Sequence, residues 1–104
     1  MIFRRQRCGR FGELVQRQLD LFRTDEAELF AELEAAEHAY DAADREDAED
    51  AYAEVQLVID AGADRLADLR SRYAATLEED AAARYENVFA EAAKKRFPRL
   101  TGLL

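Results

Sequence analysis

Apolar side chains recur every three or four positions over most of this chain, the spacing that lines one face of an α-helix. The first run is Phe11, Leu14, Val15, Leu19 and Phe22. Asp25 and Glu26 stand where the next apolar residue is due, and the run resumes with Leu29, Phe30, Leu33, Ala36 and Tyr40. A kink or short break is predicted there, with Thr24 or Asp25 placed to cap a new helix. A further face reads Ala48, Tyr52, Val55, Val58, Ile59, Gly62, Leu66, Leu69 and Tyr73, and the last reads Leu77, Ala81, Tyr85, Val88, Phe89 and Ala92.

The stretch Asp41–Asp50 holds no large apolar residue and is crowded with acids. Asp44 is placed to cap the helix that follows, with Glu46 and Asp47 complementing its macrodipole. Further on, Thr76-Leu77-Glu78-Glu79 has the spacing of a capping box, although the apolar phase runs through it without a slip. The predicted fold is all-α: a basic tail over 1–10, helices over about 11–43, 45–75 and 77–97 forming an antiparallel three-helix bundle, and a C-terminal tail over 98–104. The alternative is a two-helix hairpin or coiled coil completed by dimerisation. Its unbroken helix over 45–97 would be roughly 80 Å long, against about 45–50 Å for the three-helix form. Tyr85, Val88, Phe89 and Phe97 would then form a self-association surface covered by a second chain.

A weak repeat bears on that choice. Tyr40, Ala42, Glu46, Asp47, Ala48, Tyr52 and Val55 recur 33 residues later as Tyr73, Ala75, Glu79, Asp80, Ala81, Tyr85 and Val88. If the two segments are equivalent, both are helix-to-helix corners. All four tyrosines fall in phase with the aliphatic face, which predicts core or core-edge positions with hydroxyls reaching water.

Composition strengthens the helical reading. From Glu13 to Phe97 the chain runs 85 residues with no proline, one glycine (Gly62) and 21 alanines. Proline costs a helix interior roughly 3 kcal/mol and glycine roughly 1 kcal/mol relative to alanine. Gly62 lies on the apolar face, so it is predicted to admit a close approach rather than mark a turn. At 104 residues the chain is one domain. Its 49% hydrophobic content is nearly half alanine, which buries little surface per residue and leaves burial to be gained by self-association.

The net charge of −8 conceals a strong polarity: residues 1–23 carry +4, 24–93 carry −16 and 94–104 carry +4. The acidic body repels phosphate backbones, so only the basic ends can attract an anionic partner. Arg4, Arg5, Arg7 and Arg10 are the candidate contacts to nucleic acid or an anionic membrane, with Ile2, Phe3 and Phe11 beside them. The one cysteine, Cys8, excludes an intrachain disulfide and fits a reducing compartment. No segment approaches the length of a membrane span, and the first residues lack the apolar core of a secretory signal, so a cytoplasmic location is expected.

Candidate chemistry is sparse. His38 is the only histidine and is predicted to face solvent, flanked by Glu34 and Asp41. A ferritin-like metal–carboxylate site needs paired Glu-x-x-His motifs, and the residue three before His38 is Ala35. The acidic runs lack the glycine-centred alternation of a calcium loop. No glycine-rich phosphate loop or Cys-x-x-Cys occurs, and Ser71 is the only serine. No catalytic or metal residue, cofactor or small-molecule substrate is therefore assigned. The expected function is a non-enzymatic helical interaction or scaffold module, a homodimer or a partner of another helical protein. The alternative is an adaptor docking nucleic acid or membrane through its basic N-terminus, with a metal–carboxylate protein a remote third.

Overall fold

The computed structural model describes residues 10–102 and contains four α-helices and a 3-10 turn, with no strand among the described residues. Helix α1 spans Gly12–Asp25, α2 Ala27–Ala42, α3 Ala48–Ala74 and α4 Glu79–Arg96, followed by a 3-10 turn at Pro98–Leu100. No described helix is long and apolar enough to cross a membrane.

The predicted break near Thr24 and Asp25 falls at Glu26, so the expected first helix is two helices and the count is four rather than three. Thr24 does not cap α2. Its hydroxyl donates 3.2 Å back to the Asp20 carbonyl, a bond that tends to bend helices. Helical bonds persist on both sides, from the Glu26 amide to Phe22 and from the Phe30 amide to Glu26. A cluster of aromatic rings straddles the kink, with Phe97 5.6 Å from Phe22 and 5.3 Å from Phe30.

The chain turns again at 43–47. There the Asp44 carboxylate accepts the Asp47 amide at 3.1 Å within the turn, but α3 starts at Ala48 rather than at 45, with Asp47 at its N-cap position and Glu49 and Asp50, not Glu46 and Asp47, in its first turn. The third turn, at 75–78, rules out a continuous 45–97 helix. Thr76 is not the expected cap of the last helix: its hydroxyl donates to the Tyr73 carbonyl at 2.7 Å and so closes the end of α3. Extended Glu78 leads into α4, whose first turn carries Glu79 and Asp80 and whose last carries Lys94, Lys95 and Arg96. Both ends complement the macrodipole.

Helix α2 packs antiparallel on α3, with Tyr40 beside Tyr52 near the corner and Leu29 beside Gly62 further along. Helix α4 returns parallel to α1, with Tyr85 against Phe11 at one end and Phe97 against Phe22 at the other. It runs antiparallel to the second half of α3, where Tyr73 meets Tyr85. A side chain at Gly62 would place its Cβ 2.8 Å from Leu100 and 3.1 Å from Leu29. The glycine therefore admits the close approach predicted for it. Leu100, expected in a C-terminal tail, is instead 3% exposed and belongs to the core.

The molecule measures 57 × 28 × 22 Å, and its core is uneven along that length. The buried aromatics Phe11, Phe22, Tyr85, Phe89 and Phe97 all lie where α1, α3 and α4 meet or at the kink. Beyond Leu100 the third layer stops, and α2 and α3 continue as a two-helix tip whose buried residues are Leu33 and Val58 at its base and the smaller Ala36 and Val55 further out.

Candidate interaction surface

Of the four large apolar side chains that the described fold leaves exposed, Tyr40, Tyr52 and Leu57 lie on the two-helix tip or the stretch leading to it, and Leu21 lies on α1. Tyr40 sits in the last turn of α2 and Tyr52 in the second turn of α3, and their rings stack at 5.7 Å with a 57° tilt. They are 42% and 52% exposed, and Leu57 beyond them is 64% exposed. Around them, residues 41–54 hold seven exposed acids (Asp41, Asp44, Glu46, Asp47, Glu49, Asp50 and Glu54) against Arg45 alone. Carboxylates in this density raise a negative field over an aromatic surface.

The other corner has the same aromatic pair in a different setting. Tyr73 and Tyr85 stack at 4.8 Å with a 55° tilt. Tyr85 is fully buried, meets Phe11 edge-on at 5.5 Å, and its hydroxyl donates to the Gln18 side-chain Oε1 at 2.8 Å. Burial pushes the Tyr85 hydroxyl above its ordinary 10.0, while the Gln18 hydrogen bond acts in the opposite direction. The repeat is thus a real structural equivalence: both copies are corners, and both carry a stacked tyrosine pair.

Tyr85, Phe89 and Phe97 are buried inside the chain and Val88 is half-buried. The self-association surface expected at these positions is therefore largely the chain's own core, because the turn at 75–78 folds α4 back onto α1 and α3. Of the candidate anionic-partner contacts, Arg4, Arg5 and Arg7 lie outside the described residues. Arg10 is exposed, with its guanidinium 5.4 Å from the Phe11 ring, at the end of the molecule opposite the tip.

Among the described residues, a shallow groove of about 420 Å³ lies on the tip between α2 and α3, lined by Glu32, Ala35, Ala36, Glu54 and Val58, and two more flank the bundle. One of about 620 Å³ runs between α2 and the end of α4 and is lined by Arg23, Glu34, His38, Arg96 and Arg99, among others. Its cations are engaged: Arg96 pairs with Asp20 at 2.7 Å, Arg99 with Glu37, and Arg23 lies 4.6 Å over the Phe30 ring. The other, about 460 Å³ between α1 and α3, is crossed by the Arg65–Glu26 pair at 2.6 Å. Neither concentrates one sign of charge or a nucleophile. His38 is exposed as expected, and no cluster of three metal-ligating side chains occurs among the described residues.

Helical phase predicts core or core-edge positions for Tyr40 and Tyr52; the structure puts both at the edge, about half exposed. A usable signal was the lack of any large aliphatic residue between them over 41–51, which leaves nothing with which to bury two rings. No family model, curated protein or solved structure matches this chain.

Proposed function

We propose that this chain is a non-enzymatic helical interaction module that self-associates through its two-helix tip. The observation that carries the reading is the half-exposed Tyr40–Tyr52 pair, the barer counterpart of the Tyr73–Tyr85 pair, in which Tyr85 is buried and Tyr73 half-buried. Aromatic side chains on a protruding rigid element are the residue type that most often anchors an interface. With α1 and α2 taken as one bent arm, the architecture is a three-arm antiparallel bundle in which only the middle of the chain lacks a third layer. Shape and charge favour an antiparallel homodimer, since the acidic tip and the basic N-terminal end lie at opposite poles.

Sedimentation equilibrium over a wide concentration range tests this. The mass is expected to rise from 11.9 kDa towards the dimer value, with weaker association at high salt. A strict monomer at all concentrations overturns the proposal.

A further inference from the structure

The tip and the N-terminal segment fit one another. We propose that the Tyr40–Tyr52 tip of one copy receives the basic segment Ile2–Arg7 of a second copy, and that two such contacts related by a two-fold axis close an antiparallel dimer. This rests on the self-association reading and names the surfaces that perform it.

The equivalence of the corners supplies the first support. At the Tyr73–Tyr85 corner the pair is closed by the residues that lead into and form α1, Phe11 edge-on and Gln18 by hydrogen bond. The Tyr40–Tyr52 corner presents the same geometry with no described residue in the place of Phe11. A chain segment that brings an aromatic residue among basic ones matches what the bare pair lacks. Phe3 followed by Arg4, Arg5 and Arg7 has that composition.

Charge supplies the second. The first ten residues carry four arginines and no acid, whereas residues 41–54 carry seven acids and one arginine. Arginine suits such a surface because its guanidinium both pairs with carboxylates and lies over aromatic faces. The chain already makes the latter contact where Arg23 covers Phe30 at 4.6 Å.

Reach favours a second copy as the source of the segment. Phe11 is fixed against Tyr85, which stacks on Tyr73. From Tyr73 back to Tyr52 along α3 is 21 residues, roughly 32 Å at 1.5 Å per residue. The eight residues from Phe11 back to Phe3 span at most about 29 Å when fully extended. The chain's own Phe3 therefore approaches its own tip only with the whole segment fully extended, an ordering that a partner's segment arriving beside the tip does not need. In an antiparallel pair the partner's N-terminal end lies beside the tip, and both contacts form together.

The test uses the full chain and its single cysteine as a handle. One copy carries a nitroxide on Cys8 and no isotope. The other is nitrogen-15 labelled with Cys8→Ser and no tag. In an equimolar mixture the strongest paramagnetic loss of amide signal is expected at residues 40–54 of the labelled copy. Tyr40→Ala with Tyr52→Ala should weaken the dimer at least about tenfold and abolish that loss. Reversing Arg4, Arg5 and Arg7 to glutamate should do the same, with recovery when Glu46, Asp47 and Asp50 are changed to lysine in the other copy. Signal loss elsewhere in a chain that still sediments as a dimer overturns this contact while leaving self-association standing. A monomer without transfer between copies overturns both. Loss at the tip only when tag and isotope share one copy, diluted in unlabelled protein, assigns the segment to its own chain and also overturns the proposal.

Discussion

The two corners of this molecule differ less in what they are made of than in what lies over them. Each joins helices through a short turn, and each brings a tyrosine from before the turn against one from after it. At 73–85 the pair sits beneath α1 and Tyr85 is fully buried; at 40–52 both rings are about half exposed. The same local motif thus serves as core in one place and as surface in the other. The difference is set by where α1 and α4 lie, since the corner segments themselves are alike. An aromatic pair without its third layer leaves apolar surface in water, and the proposed second copy would cover it.

Removing a tyrosine from each corner should separate them most sharply. Tyr85→Ala is expected to cost about 3–5 kcal/mol, the range for truncating a buried aromatic residue. Tyr52→Ala in dilute, monomeric protein should cost no more than about 0.5 kcal/mol, as an exposed substitution does. Urea unfolding of both variants measures this, and equal losses would break the comparison.

A smaller effect is expected at the border where the third layer ends. Gly62→Leu puts bulk into the seat of Leu100 and against Leu29, for an overpacking cost of about 1–3 kcal/mol. Gly62→Ala displaces only side-chain ends, and the gain in helix propensity of roughly 1 kcal/mol offsets much of that. Thermal unfolding of the two variants should therefore give a large and a small shift. If leucine were tolerated as well as alanine, Leu100 would not be seated there.

The smallest effect concerns one hydroxyl. Tyr85→Phe keeps the ring and loses the bond to Gln18, for about 0.5–1.5 kcal/mol. It should also alter the alkaline limb of stability. Because burial raises the Tyr85 hydroxyl above 10.0, the unfolded chain releases this proton first as pH rises. The folded state then holds more protons, so stability is fully present below about pH 10 and declines as pH rises through the folded value. The decline should be shallower in Tyr85→Phe, measured by denaturant midpoints across that range. An unchanged slope would mean that the hydroxyl is not held in the core.

Much of the architecture was legible because it follows from period and from cap chemistry. The helical faces, the acidic corner around Asp44, the break beside Glu26 and the close approach at Gly62 all follow from residue type at fixed spacing. Thr76 was misread because a hydroxyl can accept from the amides after it or donate to a carbonyl before it, and spacing alone does not separate the two. Leu100 carries no periodic signal, since Pro98 ends the helix before it. Tyr40 and Tyr52 were on the correct helical face, yet phase says only which side of a helix points inward. How far a third helix extends along that side depends on helices far away in the chain. The same uncertainty assigned Tyr85, Phe89 and Phe97 to a partner in one reading and to the core in the other, and the turn at 75–78 gives them to the core.

In the proposed dimer the bare corner acquires the cover that the buried corner already has. Tyrosine ring signals recorded with a soluble paramagnetic agent, over a series of protein concentrations, test it directly; Tyr40→Phe and Tyr52→Phe variants assign the resonances. Tyr85 should be protected throughout, while Tyr40 and Tyr52 should be relaxed strongly in dilute protein and become protected as the dimer fills. If Tyr40 and Tyr52 remain equally accessible at every concentration, the tip is plain surface and the account is wrong.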